Sequence, residues 1–579
     1  MATPPVTKQP QRPNITGTKH VVASGHYMSA QAALQILEAG GNAIDAGVAA
    51  GLATAVLEPI YVSLGGVAPI ILFHADTQKI ITISGLGTWP KAASCDYFHQ
   101  HHGGAIPNGI LRSVMPAAPD AWITALELYG TMSFADVAAS AIRLAIDGFP
   151  IYPRMATFIK NAEKNYKQWP SSASIYLSRG RPPEVGELFV QSDVGHVLKY
   201  MADEETTHKK AGRSAGLAAA RDAFYRGDVA AKIVSFYKDN GGLITADDLA
   251  NFRVGIEPAV QTNFAGIDVY GCGPWCQGPM VQQLLNLVEG IDLKALGHNS
   301  AQYIHVLTEA IKLVGADRNA YYGDPRFVKV PIETLLSKAY AAERRRLIRS
   351  DKAWPDCPPA GDIPGDAPRW QGGDMLKTGG HRQSALDTSY ISVADSKGNI
   401  FSATPSDGSS TAPVVPGLGF VVSPRGVSSW TDKNHPCSIA PGKRPHLTPN
   451  PALAFRGNKM RMAFGTPGGD VQVQAMLQVF INMFVFDMDP QTAIEAPRFA
   501  SYGFPSAFEP HETQPARLDI EPSFGKDISD ALEKLGHQIH RWPAPTYLAG
   551  SVCVALNDLE KGIKTAAADF RRTAYAVGW

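Results

Sequence analysis

Thr388 is the residue whose type and setting could carry the chemistry of this chain. It stands at the mouth of a strand-like run, Ser389 to Ala394, which is followed by the turn Asp395-Ser396-Lys397-Gly398-Asn399 and a second run, Ile400 to Thr404. The turn residues tolerate positive φ or bond their own backbone, so a hairpin is expected. A strand mouth is an odd place for a nucleophile unless the chain is cut just before it. On local sequence alone Thr388 would be an ordinary strand residue. A second feature is Gly465-Thr466-Pro467-Gly468-Gly469-Asp470, opening a long helix expected over Val471 to Phe486. Glycines at a helix start present unpaired N–H groups, which suits an oxyanion.

The elements that must position these groups are legible in order. Met28 to Glu38 reads as a helix stopped by Gly40-Gly41. Asn42 to Val56, rich in Ala and Gly, reads as a second helix packed closely against its neighbours. Strands follow at Pro69 to His74 and Lys79 to Ser84, and helices dominate Ala117 to Ile151. Thr245 and Asp248 form a capping-box start. Val260 to Tyr270 reads as strands, Gln277 to Glu289 and Ala301 to Tyr322 as helices, and 453–455 and 461–464 as strands. Short helices are expected at 490–496 and 524–535, and closing strands over 547–556. The polar, Pro-rich residues 1–20 read as a flexible leader without a signal peptide, and residues 352–384, dense in Pro, Gly, Asp and His, as an exposed linker into Asp387-Thr388.

Composition narrows the class. The 579 residues would allow roughly four domains of about 150 residues each. Apolar content is 45%, charged content 18%, and Lys plus Arg equals Asp plus Glu at 53, so no global field attracts nucleic acid or an anionic membrane. No run approaches the roughly 18 apolar residues of a membrane span. Six scattered cysteines do not make a disulfide framework, which points to a reducing, cytoplasmic setting. Cys272 and Cys276 are one residue too far apart for the two-residue redox motif and read as structural. The tract His99, His101 and His102 lacks partners for a metal site and reads as a solvated loop; no metal or cofactor is expected. Arg344 to Arg346 with Arg349, a basic run on a helix, reads as a solvated face or salt-bridging surface rather than a nucleic-acid patch.

Several stretches together resemble the γ-glutamyltransferase family of N-terminal nucleophile hydrolases. They are Gly40-Gly41-Asn42-Ala43-Ile44-Asp45-Ala46, Leu64-Gly65-Gly66, Ala316-Asp317-Arg318, Gly323-Asp324-Pro325, Asp387-Thr388-Ser389, Pro441 to Pro445 and Gly465 to Gly469. The resemblance implies an α+β fold, a four-layer αββα sandwich built from a precursor that cleaves its own Asp387–Thr388 bond. The products are a large subunit (21–387, behind the leader) and a small one (388–579) that stay associated, with pairing of two such heterodimers open. It implies Thr388 as nucleophile and its own base, Gly468 and Gly469 as oxyanion donors, and Ser406 as the hydroxyl beside the nucleophile.

Departures from the family pattern bear on the substrate. The Arg that clamps a glutamyl α-carboxylate is missing from Gly85-Leu86-Gly87-Thr88-Trp89-Pro90. The carboxylate that receives the glutamyl α-amine falls at Ser428, a Gln at Arg425 and a substrate-contacting Asn at Gly408. Of two paired serines, Thr448 keeps a hydroxyl and Leu447 replaces the other. A guanidinium at Arg425 suits one substrate carboxylate. The pattern is similar to the oxamate amidohydrolase branch and implies hydrolysis of a small carboxylate-bearing amide through an acyl-enzyme. The alternatives are γ-glutamyl hydrolysis or transfer, cephalosporin-type acylase activity, and a catalytically silent scaffold of the same fold.

Overall fold

The computed structural model describes residues 10–365, 370, 387–544 and 546–579. Two seven-stranded antiparallel sheets lie face to face. One runs, edge to edge, through Ile15–Gly17, Ile563–Ala568, Cys553–Asp558, Met460–Gly465, Ala452–Arg456, Ile267–Gly271 and Val260–Phe264. The other runs through Tyr575–Gly578, Val21–Ser24, Ile391–Ala394, Ile400–Ala403, Ile70–His74, Lys79–Ile83 and Ile256–Glu257. The expected hairpin is the centre of this second sheet, with Ile391 opposite Ala403 and Ala394 opposite Ile400.

Period-two alternation makes the layers. In the strand Ile70–His74, Ile70 and Leu72 enter the core under the outer helices. Ile71 and Phe73 instead pack between the sheets against Leu453, Phe455 and Ala463. A third core joins the other sheet to helices Gly278–Val288, Ala301–Tyr321 and Gln472–Phe484. Helices, two sheets and helices give the αββα sandwich.

Helix Ala43–Leu57 shows why composition matters. Asn42 caps it in a capping box with Asp45, and all its residues are buried. A Cβ at Gly47 would lie 2.2 Å from the Phe401 ring and one at Gly51 2.6 Å from Trp122. Only hydrogen at those positions lets the helix settle onto Phe401 of the hairpin and against Trp122 of the helix Ala118–Tyr129.

Five expectations need correction. Residues 10–20 are not a free leader, because Ile15–Gly17 pairs with Ile563–Ala568 in the register Ile15–Ala566; residues 1–9 lie outside the described residues. The linker reading fails over 352–365. There the Lys312 ammonium donates to the Trp354 carbonyl at 2.9 Å and the Gly361 amide to Asp317 at 2.9 Å; residues 366–369 and 371–386 are outside the described set. The histidine tract closes a helix, Cys95–His102, rather than forming a loop. Arg344 is buried rather than solvated, 3.2 Å from Asp317 and bonded to the carbonyls of Leu313 and Pro359. Tyr547–Ala549 forms a helical turn instead of a strand, and the strand there begins at Cys553. No helix among the described residues is long and apolar enough to cross a membrane.

Candidate active site

Thr388 is 2% exposed and bridges to Ser406, whose own amide bonds the Val67 carbonyl. The Leu64-Gly65-Gly66 turn makes this approach possible, since a Cβ at Gly66 would fall 2.4 Å from the Ser406 carbonyl. Ser406 Oγ donates to the carbonyl of Asp387 at 2.7 Å, accepts from Arg425 Nη2 at 2.6 Å and lies 3.0 Å from Thr388 Oγ1. A hydroxyl has one proton and two lone pairs, so all three contacts are compatible, with Thr388 as donor. One side chain thus polarises the carbonyl before Thr388 and orients the Thr388 hydroxyl.

The Gly468–Gly469 turn stands at φ +128 and +56 ahead of helix Gln472–Phe484. Among the described residues neither amide has a hydrogen-bond acceptor, and both glycines line a cleft of about 680 Å³ that also reaches Asp387. The motifs far away in sequence hold this turn. Arg318 pairs with Asp470 at 2.6 Å, Asp470 accepts from the Ala507 amide at 3.0 Å, and Gln277 Nε2 bonds the Gly469 carbonyl at 2.9 Å. Asp324 binds Arg444 through its amide and its guanidinium, both at 2.9 Å, fixing Pro441 to Pro445. The Arg326 and Arg444 cations drive the Asp324 carboxyl below the usual carboxylate range against the opposing effect of burial.

Arg425 is 1% exposed and its charge is already matched. Nε and Nη2 reach Asp407 Oδ1 at 2.9 and 2.5 Å, while Ser423 Oγ donates to Asp407 Oδ2 at 2.5 Å. Nη1 lies 3.5 Å from Thr448 Oγ1. Arg425 and Thr448 therefore sit together beside Ser406, but the guanidinium buttresses that hydroxyl instead of standing open to a carboxylate. Ser428 Oγ is buried without a protein partner among the described residues. Gly408 has no room for the family's Asn, since a Cβ would lie 2.0 Å from the Ile60 carbonyl. Leu86 and Leu447 pack together with Val67, Cys272, Trp275 and Cys276 in one apolar cluster, so the position where Leu447 replaces a family serine has become part of a dry wall.

Sequence reasoning missed Asp407, Glu58, Arg572 and Arg112. Asp407 directly follows Ser406 but holds φ +88, which no sequence signal announces. Glu58 accepts from Ser389 Oγ at 2.6 Å, and burial raises its carboxyl to about 7. Arg572 pairs with Asp387 at 2.8 Å and lines the cleft with Arg112. One buried trio, His305, Glu309 and His537, has metal-ligand donor types. Its acid is already paired with the Lys312 ammonium at 2.5 Å, and His305 Nδ1 lies 2.8 Å from His537 Nε2.

The comparisons agree with this geometry. The chain is 31% identical to the Acylase ACY 1 proenzyme of Pseudomonas sp. (strain V22), over 96% of this chain and 93% of that one. It is 31% identical to the glutathione hydrolase-like YwrD proenzyme of Bacillus subtilis (strain 168), over 98% and 99%. The crystal structure of cephalosporin acylase from Bacillus halodurans superposes with a TM-score of 0.84 at 28% identity, covering 100% of this chain and 99% of that one. The gamma-glutamyltranspeptidase family model matches residues 29–579, and the chain belongs to that family of N-terminal nucleophile hydrolases.

Proposed function

We propose that the chain cleaves itself between Asp387 and Thr388 and that the freed Thr388 then hydrolyses the amide of a small carboxylate-bearing acid. The observation that carries the reading is the Ser406 hydroxyl, 2.7 Å from the Asp387 carbonyl oxygen and 3.0 Å from Thr388 Oγ1. Attack of Oγ1 on that carbonyl carbon breaks the C–N bond, leaving an ester to Thr388 and a free α-amine; water then releases the Asp387 carboxylate. In the mature enzyme the α-amine takes the Oγ1 proton as Oγ1 attacks the substrate amide. The Gly468 and Gly469 amides receive the oxyanion, and the departing amine leaves with a proton. Water hydrolyses the resulting acyl-threonine.

The two pieces stay together because the cut lies outside the sheet hydrogen bonding. Ile391–Ala394 remains paired with Val21–Ser24, and Ile400–Ala403 with Ile70–His74. Against a γ-glutamyl head group stand the Leu86–Leu447 cluster and the occupied Arg425, since a zwitterion needs both an anion and a cation to hold it. Electrophoresis and N-terminal sequencing of purified protein test the first half. A fragment beginning Thr-Ser-Tyr-Ile is expected in wild type, and a single inactive chain in Thr388→Ala. Assay of γ-glutamyl-p-nitroanilide against dicarboxylic half-amides tests the second; turnover of the glutamyl compound alone would refute the substrate reading.

A further inference from the structure

Two guanidinium groups line the cleft beside the Gly468–Gly469 turn, and they differ in what holds them. In the uncut chain Arg572 has Asp387 as counter-ion, and the Glu58 carboxyl also lies within its field. Arg112, at the end of the short turn Ile110–Arg112, has only backbone partners among the described residues. Nε donates to the Pro107 carbonyl at 3.0 Å and Nη2 to the Ile106 carbonyl at 2.9 Å. Glu509, the acid whose field reaches it, is tied through Oε1 to the Ile106 amide at 2.9 Å and makes no ion pair with it. The residue is 7% exposed. A buried cation without an ionic partner is costly to keep, and burial pulls the Arg112 guanidinium down to about 10.

A second observation points to a ligand independently. Thr411 lines the same cleft, is as buried as Arg112, and its hydroxyl has no partner among the described residues. Its carbonyl accepts from the Gly109 amide at 3.0 Å, which ties it to the loop that carries Arg112. A planar guanidinium and a hydroxyl lining the same cleft are together complementary to a carboxylate. Val427, Phe504 and Phe508 give the cleft apolar walls.

We infer that Arg112, with the Thr411 hydroxyl of the same cleft, is the subsite for the distal carboxylate of the acyl group, so that the substrates are half-amides of dicarboxylic acids. The inference rests on the threonine-nucleophile reading above and moves the carboxylate contact from Arg425, which Asp407 neutralises, to Arg112. The acyl chain lies along the apolar walls, its amide carbonyl at Thr388 and the glycine amides and its far end at Arg112.

The test uses the self-cleaved protein and matched pairs of p-nitroanilides: mono-anilides of glutaric and adipic acid, and their methyl esters. In Arg112→Gln the acid-over-ester ratio of kcat/KM is expected to fall about 10- to 100-fold, the scale of one charge-assisted hydrogen bond, through KM more than kcat. Arg112→Lys should recover part of the ratio, which a merely structural role would not produce. Thr411→Val, which keeps the side-chain shape, should lower the ratio several-fold and stands in if Arg112→Gln does not fold. An unchanged ratio in these variants overturns the inference, as does collapse of the ratio in Arg572→Gln but not Arg112→Gln. Wild type that never cleaves itself would instead defeat the underlying reading, whereas cleavage with no preference for the acid defeats only the subsite.

Discussion

Replacing Ser406 by alanine isolates the step on which maturation depends. The hydroxyl donates to the Asp387 carbonyl at 2.7 Å and accepts from Arg425 at 2.6 Å. Its removal strands no charge, because Arg425 keeps both contacts to Asp407 Oδ1. The backbone bridges from Ser406 to Val67 and Thr388 do not involve the side chain. The fold should therefore persist while the scissile carbonyl loses its polarising donor. Loss of one such donor costs about 2.7–4 kcal/mol, or roughly 10²–10³ in rate. The assay is a time course of uncut chain remaining, read by gel densitometry, with thermal unfolding to check that the variant is folded. Cleavage within about threefold of wild type, less than about 1 kcal/mol in barrier, would refute the reasoning.

Gly468→Ala should separate maturation from turnover. Its φ of +128 is a region side chains rarely adopt, so the turn must shift and misalign its amide, whereas the Asp387 carbonyl is held by Ser406. Near-normal self-cleavage with kcat lowered by about 10² is expected, and an unchanged kcat would rule out this turn as the oxyanion site. Glu58 gives a pH signature. Its folded carboxyl titrates at about 7 against 4.5 for the free group. Between those values the folded chain holds a proton that the unfolded chain has lost, so this group's stability contribution is full below pH 4.5 and lost as pH rises through 7. At about 1.36 kcal/mol per pH unit, the change is about 3 kcal/mol. Denaturant unfolding at pH 5 and pH 8, in a Thr388→Ala background that keeps the chain whole, should show a smaller stability loss for Glu58→Gln than for Glu58. Equal losses would remove Glu58 as the cause.

Local chemistry was what the sequence displayed best. The Thr245–Asp248 capping box, the central hairpin and the glycine turn before the long helix are all short-range patterns, and each forms as its residues predict. What escaped depends on partners far along the chain. Ile15–Gly17 is polar-flanked and too short to signal a strand, and it becomes one only because Ala566 and Thr565 lie opposite. The Pro-rich composition of 352–365 hides its ties to Lys312, Arg344 and Asp317. At the site, Thr388 and the glycine pair were legible, but the partner of Arg425 was not. Asp407 turns toward it through a positive φ that composition does not encode. Arg112 sits in a loop without periodicity, and its lack of an acid becomes visible only once its neighbours are known.

The Asp387–Arg572 contact has a consequence for when this protein can act. In the uncut chain the cleft ends on Asp387, clamped by a cation, with the threonine shut away beneath it. The catalytic apparatus is finished before it is reachable. Under the proposed self-cleavage, latency requires no separate inhibitory domain: Asp387 is itself the stopper, and breaking its bond to Thr388 would open the door and arm the group behind it in one event.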